Sequence, residues 1–212
     1  MENLFTVISR NNPKIKVQAA EGHFATGSAH RSHFIDIFDI KTNSSVARYA
    51  ARELAAPYLA NTIVDVIVYM DGTEILAAYM ADELLQAGLG VINEGGEIHI
   101  VTPMRSTDGH FIFHQNVQRI IKDKNALLLV ASMSTGDTAS TIGECLNYYG
   151  CKVTGISAVF SAVPKFAGVQ IHSLFSNEDI PDYRFYDLSD CRMCREGKKL
   201  DGVITNEGFT RL

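Results

Sequence analysis

The sequence predicts an α/β fold in which a mostly parallel sheet is flanked by helices. Two observations carry that expectation. Short apolar runs alternate with longer segments of helical period over residues 62–175, and such alternation implies right-handed crossovers that cover both faces of a sheet. The composition agrees: 212 residues with 46% hydrophobic and 20% charged side chains can bury one sizeable core. A single domain with a small appendage is expected, and neither an internal repeat nor a low-complexity tract interrupts it.

The elements follow in order. The first forty residues read as irregular. Within them Phe34-Ile35-Asp36-Ile37-Phe38-Asp39-Ile40 alternates apolar and acidic residues behind the turn-rich Gly27-Ser28-Ala29-His30, the pattern of a half-buried strand in a small β element. Asn43-Ser44-Ser45 offers N-caps for an Ala-rich helix over 46–56, where Pro57 signals its end. Buried strands are expected over 62–69, 97–101, 125–131, 152–160 and 170–175. Helices are expected over 74–87 and 138–149, the second stopped by Gly150.

Charge and composition narrow the partners. The longest apolar runs, such as 126–131, are too short to span a bilayer, and Met1-Glu2-Asn3 lacks the basic start of a secretory signal. A soluble, cytoplasmic protein is expected, without membrane contact. A net charge of -5 without a long Lys/Arg block argues against nucleic acid and for a small-molecule partner. Four cysteines (Cys145, Cys151, Cys191, Cys194) are too few for a disulfide scaffold and fit a reducing compartment.

Ligands of open α/β sheets bind at the carboxyl ends of the strands, which directs attention to the loops at 70–73, 102–114 and 132–137. In the last, Ser134, Thr135, Gly136, Asp137 and Thr138 join a strand to a helix. Such a loop aims backbone N–H groups and hydroxyls at an anion, with the helix dipole adding to the attraction. Spacing alone equally allows an ordinary βα turn, with Asp137 capping the helix. Likewise Asp71-Gly72 is a common tight turn and Thr73 an N-cap position before Glu74.

The strand, Thr-Gly-x-Thr loop and helix resemble the phosphoribosyl pyrophosphate motif of type I phosphoribosyltransferases, most nearly the orotate phosphoribosyltransferases. Three further segments are similar to that family over roughly residues 20–200. Asp71, Gly72, Thr73 and Glu74 resemble its pyrophosphate loop. Glu21-Gly22-His23-Phe24 through Ser32-His33-Phe34-Ile35-Asp36 resembles its N-terminal stretch, and Asp190-Cys191-Arg192-Met193-Cys194-Arg195-Glu196-Gly197 resembles the tail of a subset of members. The resemblance implies a core over about 44–176 beneath a hood from about 1–43 and 177–212. It implies substrate contacts from Ser134, Thr135, Gly136, Asp137 and Thr138 to the donor's 5′-phosphate, with Phe34 near the base. It also implies Mg²⁺ carried by the donor, phosphoribosyl pyrophosphate, and a homodimer. His30 and Arg31 would lie in the hood turn. Individually, His23, His30 and His33 read as solvated histidines of a surface hairpin.

The chain departs from the family where it usually carries two adjacent carboxylates for the ribose hydroxyls: Val130 and Ala131 stand there. It also has no lysine between Ile98 and Ile121, where the family's mobile loop bears one. Arg105 and His110 are the candidate catalytic groups of that loop, Arg105 by bidentate contacts to pyrophosphate and His110 by proton transfer. Two readings follow: an enzyme transferring phosphoribose to a pyrimidine-like base, or a phosphate- or nucleotide-binding regulator that has lost the chemistry. Cys191 and Cys194 have metal-ligand spacing, but no second pair follows, so no metal ligand is assigned within one chain. A redox CxxC should open a helix after a strand, whereas this polar stretch reads as a tail.

Overall fold

The computed structural model describes residues 4–86, 88, 90–205 and 208–212. Met1-Glu2-Asn3 and Ala87, where the sequence placed the chain start and a helix end, lie outside the described residues. The chain opens with β1 (Leu4–Ile8), β2 (Lys16–Ala25) and β3 (Ala29–Asp36), then α1 (Phe38–Thr42) and α2 (Ser44–Ala55). There follow β4 (Val66–Tyr69), α3 (Glu74–Leu85), β5 (His99–Val101), a hairpin of β6 (Met104–Arg105) and β7 (Phe111–Ile112), and α4 (Gln115–Ile121). The second half contains β8 (Asn125–Met133), α5 (Asp137–Tyr148), β9 (Lys152–Ser161), β10 (Lys165–Phe166) and β11 (Val169–Ser176). It closes with β12 (Phe185–Asp187), α6 (Arg192–Arg195), β13 (Gly202–Thr205) and β14 (Gly208–Arg211).

The central sheet runs β10-β11-β9-β8-β4-β5. Its strands β11, β9, β8, β4 and β5 are mutually parallel, and only edge strand β10 is antiparallel. Successive side chains of β8 point to opposite faces. Leu127 and Leu129 therefore pack with Ala50 and Leu54 of α2 and Leu76 and Met80 of α3, while Leu128 and Val130 pack with Ile121 of α4 and Ile142 and Leu146 of α5. A strand covered on both faces needs an unbroken apolar run, which explains Leu127-Leu128-Leu129-Val130. Each such side chain stabilises the fold by about 1.5–3 kcal/mol. The Asn43 carboxamide accepts from Ser45 N and Val46 N, fixing the start of α2 as its sequence predicts.

One strand in the core depends on glycine. A Cβ on Gly155 would come within 2.5 Å of Tyr58 and 2.8 Å of Leu127, so β9 can pass the Tyr58 ring only without a side chain there. The Tyr58 hydroxyl donates to the Ile156 carbonyl at 2.9 Å and lies 3.0 Å from Ser157 Oγ. Burial pushes its pKa up to about 12, so it remains a neutral donor.

The first forty residues are more ordered than their sequence suggests. They supply three strands of a second sheet, β12-β3-β2-β13-β14 with β1 also on β2. The 34–40 alternation is split: β3 ends at Asp36, whose carboxylate accepts from Phe38 N at 3.0 Å and turns the chain into α1. Two acidic-apolar repeats look the same in sequence whether the second is strand or a helical turn. Among the described residues no helix is long and apolar enough to cross a membrane.

Candidate functional site

A cleft of about 540 Å³ opens at the carboxyl ends of β4 and β8, roofed by the second sheet. Ala131, Ser132 and Thr138 line its floor, Asp71 and Arg105 its sides, and Arg31, Phe34 and Asp36 its roof, with Lys41 reaching in from α1.

The loop after β8 turns at Gly136, whose φ is 98°. A Cβ there would lie 2.5 Å from the Phe166 ring, so both the left-handed backbone and the close approach demand glycine. Gly136, not Asp137, occupies the N-cap of α5, and no side chain caps that end; the expectation that Asp137 caps the helix is corrected. Asp137 is the first helical residue, and its carboxylate accepts from the Thr135 hydroxyl at 2.7 Å. Ser134 Oγ lies 3.1 Å from the Tyr183 hydroxyl. Thr138 lines the cleft, while Ser134, Thr135, Gly136 and Asp137 form the turn beside it. The backbone N–H groups of this first turn have no helical carbonyl to meet; that of Asp137 donates to Thr135 Oγ1 at 3.4 Å, and a helix start of this kind favours anions.

After β4, Asp71 and Gly72 take successive positive φ values of 57° and 73°. Thr73 sits at the N-cap of α3, but its hydroxyl donates back to the Met70 carbonyl at 2.7 Å and does not cap. Glu74 opens the helix and is exposed; like Gly72 and Thr73 it lies outside the cleft lining, to which this turn contributes Asp71. A Cβ on Gly72 would meet the Lys41 ammonium at 3.3 Å, so this bare turn lets a lysine from α1 approach the cleft. Sequence reasoning sought a lysine only between Ile98 and Ile121 and missed Lys41, which its five-residue helix delivers from elsewhere.

The 102–114 loop is a hairpin. Arg105 lines the cleft with its guanidinium 4.7 Å from the centre of the Phe111 ring, a cation–π contact that holds it over the site. His110 lies apart: its side chain is 76% exposed, 3.9 Å from Asp108, and outside the cleft lining. The structure does not bring it to the other candidates.

The roof corrects the reading of its polar residues. His30 and Arg31 lie in β3, not in the preceding turn. His23, His30 and His33 are all buried, because β2 and β3 are covered by the C-terminal strands and not by solvent. Burial lowers the pKa of His33, against the pull of Glu21 and Asp182. Arg31 Nη1 donates to Ser132 Oγ at 3.5 Å, while its buried Nε is, among the described residues, a side-chain donor without a hydrogen-bond partner. Phe34 packs against Phe24 and Phe209 and presents an aromatic edge to the cleft. The cleft thus gathers three cations, Arg31, Lys41 and Arg105, against two carboxylates, Asp36 and Asp71, in a chain whose net charge is -5. That local excess attracts anions. At the floor, Val130 is buried in the core and Ala131 faces the cleft, so a methyl group and not a carboxylate lines it at this position.

A second group of polar side chains lies outside this cleft. His23, His30, Cys191 and Cys194 bring one ligand atom each to within 4.8 Å of all the others. The structure thus brings two histidines to Cys191 and Cys194, side chains that the spacing of the cysteines does not announce. The stretch is also no loose tail: Cys191 is buried at the N-cap of α6, and β13 and β14 follow as paired strands.

No protein-family model matches the chain, and no curated protein does. Solved structures do resemble it. UMP synthase of Leishmania donovani is similar over 76% of this chain at 18% identity and a TM-score of 0.53. This chain spans 34% of that protein's length. Adenine phosphoribosyltransferase of Thermoanaerobacter pseudethanolicus matches 82% of this chain and 95% of its own at 15% identity, TM-score 0.51. Orotate phosphoribosyltransferase of Mycobacterium tuberculosis, in complex with 5-phospho-α-D-ribosyl 1-diphosphate, matches 69% and 82% at 16% identity, TM-score 0.50. The α/β fold is that of the phosphoribosyltransferases.

Proposed function

We propose that the cleft binds phosphoribosyl pyrophosphate and a pyrimidine-like base, and that the protein is a phosphoribosyltransferase of the orotate type. The observation that carries this reading is the buried, unpartnered Nε of Arg31 in a cleft that also gathers Lys41 and Arg105 beside the 134–138 loop. A buried donor of this kind finds its partner in a ligand oxygen. The 5′-phosphate takes the N–H groups at Gly136, Asp137 and Thr138, the pyrophosphate lies between Arg105 and the Asp71-Gly72-Thr73-Glu74 turn with Lys41, and the base lies under Phe34. Mg²⁺ arrives on the donor's oxygens, and Asp36 and Asp71 offer the hard oxygen ligands it takes. His110 serves as proton carrier only if the hairpin moves inward. By the same resemblance the protein is a homodimer, and its cysteine content supports a cytoplasmic one.

The alternative reading, a nucleotide-binding regulator without turnover, is favoured by one observation: Ala131 lines the cleft floor. Charge stabilisation at the reacting carbon is a large catalytic term, and an alanine supplies none. Turnover of orotate is therefore expected below the ordinary range of roughly 1–1000 s⁻¹. A panel of bases run with donor and Mg²⁺, wild type beside Arg105→Ala, separates the readings. A transferase gives product with one base and loses it in the variant; a regulator binds donor or nucleotide and turns over none.

A further inference from the structure

We propose that His23, His30, Cys191 and Cys194 form a structural zinc site that joins the two ends of the chain over the cleft. The donor set is two thiols and two imidazoles, the combination that tetrahedral zinc sites use. His23 Nε2 lies 2.9 Å from His30 Nδ1, 3.5 Å from Cys191 Sγ and 3.7 Å from Cys194 Sγ. Cys194 Sγ lies 3.3 Å from His30 Nδ1. A tetrahedron with Zn–N and Zn–S bonds of ordinary length has edges of about 3.3–3.8 Å; the three sulfur–nitrogen separations fall in that range, the His23–His30 edge must open by a few tenths of an ångström, and all four atoms lie within 4.8 Å of one another.

The surroundings prepare these atoms as ligands. His23 Nδ1 lies 2.9 Å from the Lys198 carbonyl, which accepts a hydrogen bond from Nδ1–H and leaves the Nε2 lone pair facing the group. An imidazole held by a backbone carbonyl in this way is the usual outer support of a metal ligand. His23 is further fixed by its backbone N–H, which donates to Asp201 Oδ2 at 2.7 Å, and by Asp201 N donating to its carbonyl at 2.8 Å. The cysteines are set by α6 and the turn after it, where Gly197 takes a φ of 74° and Lys198 N donates to the Met193 carbonyl. Both thiols are free.

Charge also fits. Two thiolates and two neutral imidazoles together neutralise a divalent ion, which suits a site where His23 is fully buried, and loading would release the two thiol protons. Cys194 is exposed and gives the ion its entry. The site stands 168 and 164 residues apart along the chain at its Cys191–His23 and Cys194–His30 pairs. It fixes β3, whose Arg31 follows His30 into the cleft, and it precedes β13, whose Ile204 and Thr205 line the same cleft. The inference stands on these four side chains alone and is independent of what the cleft binds.

The test uses the full chain purified under reducing conditions without chelator. Elemental analysis should find about one zinc per chain. Zinc removal followed by Co²⁺ should give the visible bands of a tetrahedral cobalt site together with thiolate-to-cobalt charge transfer. Cys194→Ser, at an exposed position, and His30→Gln should each weaken zinc by more than the roughly 10–100-fold that loss of an outer support costs. Zinc-free reduced protein that also gives no cobalt bands overturns the proposal, as does zinc retained undiminished in both variants, or a Cys191–Cys194 disulfide in protein kept from air.

Discussion

The central sheet and the roof above it are assembled from contacts of different range. In the central sheet, β8 and β9 pair across a single intervening helix, as do β4 and β5, so these two parallel pairs are local units, joined to each other by the longer-range pairing of β4 with β8. The roof pairs β3 with β12 and β2 with β13, and Ser32 Oγ accepts from Arg184 N across 152 residues of sequence. Closing so long a loop costs conformational entropy that only later contacts repay. The 134–138 loop therefore follows a strand paired with a near neighbour in sequence, whereas the roof is completed by pairings between the two ends of the chain.

That contrast can be broken at several points. The largest effect is expected from Phe24→Ala, which removes a fully buried ring packed on Phe34 and Phe209; about 3–5 kcal/mol should be lost. Hydrogen exchange should show the loss as opening of β2, β3 and β13 with β8 and β9 still protected. Uniform loss across both sheets contradicts the division. Next comes Gly136→Ala, which forces a positive φ on alanine and meets Phe166. It should cost about 1–3 kcal/mol in chemical denaturation and weaken the donor far more than it weakens the fold. Tyr58→Phe should cost about 1 kcal/mol, read from the denaturation midpoint, and leave donor affinity unchanged.

The smallest effect concerns pH. Burial holds the His33 pKa below its ordinary value, so the unfolded chain takes up a proton that the folded chain resists. Stability present above about pH 6.5 should decline as the pH falls below it. Thermal melts between about pH 7.5 and 5 should show that decline, and His33→Gln should make it shallower, with the burial of His30 and His172 supplying the remainder.

What was legible in the sequence follows the same division. Leu127-Leu128-Leu129-Val130 and the 134–138 loop announce strand, turn and helix within fifteen residues, because each backbone requirement there is met by a neighbour. The roof was misread for a physical reason: His23 and His30 look like surface residues until β13 and α6 return to cover them. The cysteine pair looked short of ligands because its partners lie at the other end of the chain. Lys41 was overlooked because nothing local says that a helix at 38–42 will lean over Gly72. Asp137 was taken for a cap because the sequence does not show that Gly136 has already turned the chain.

The central claim, that the loop after β8 and the cations around it hold a phosphorylated donor, is tested most directly by calorimetric titration of phosphoribosyl pyrophosphate with Mg²⁺ into the wild type and into Gly136→Ala. Saturable heat at one site per chain in the wild type, lost in a variant that still folds, is the result expected. Absence of heat with the donor, with pyrophosphate and with a nucleoside monophosphate alike would contradict it.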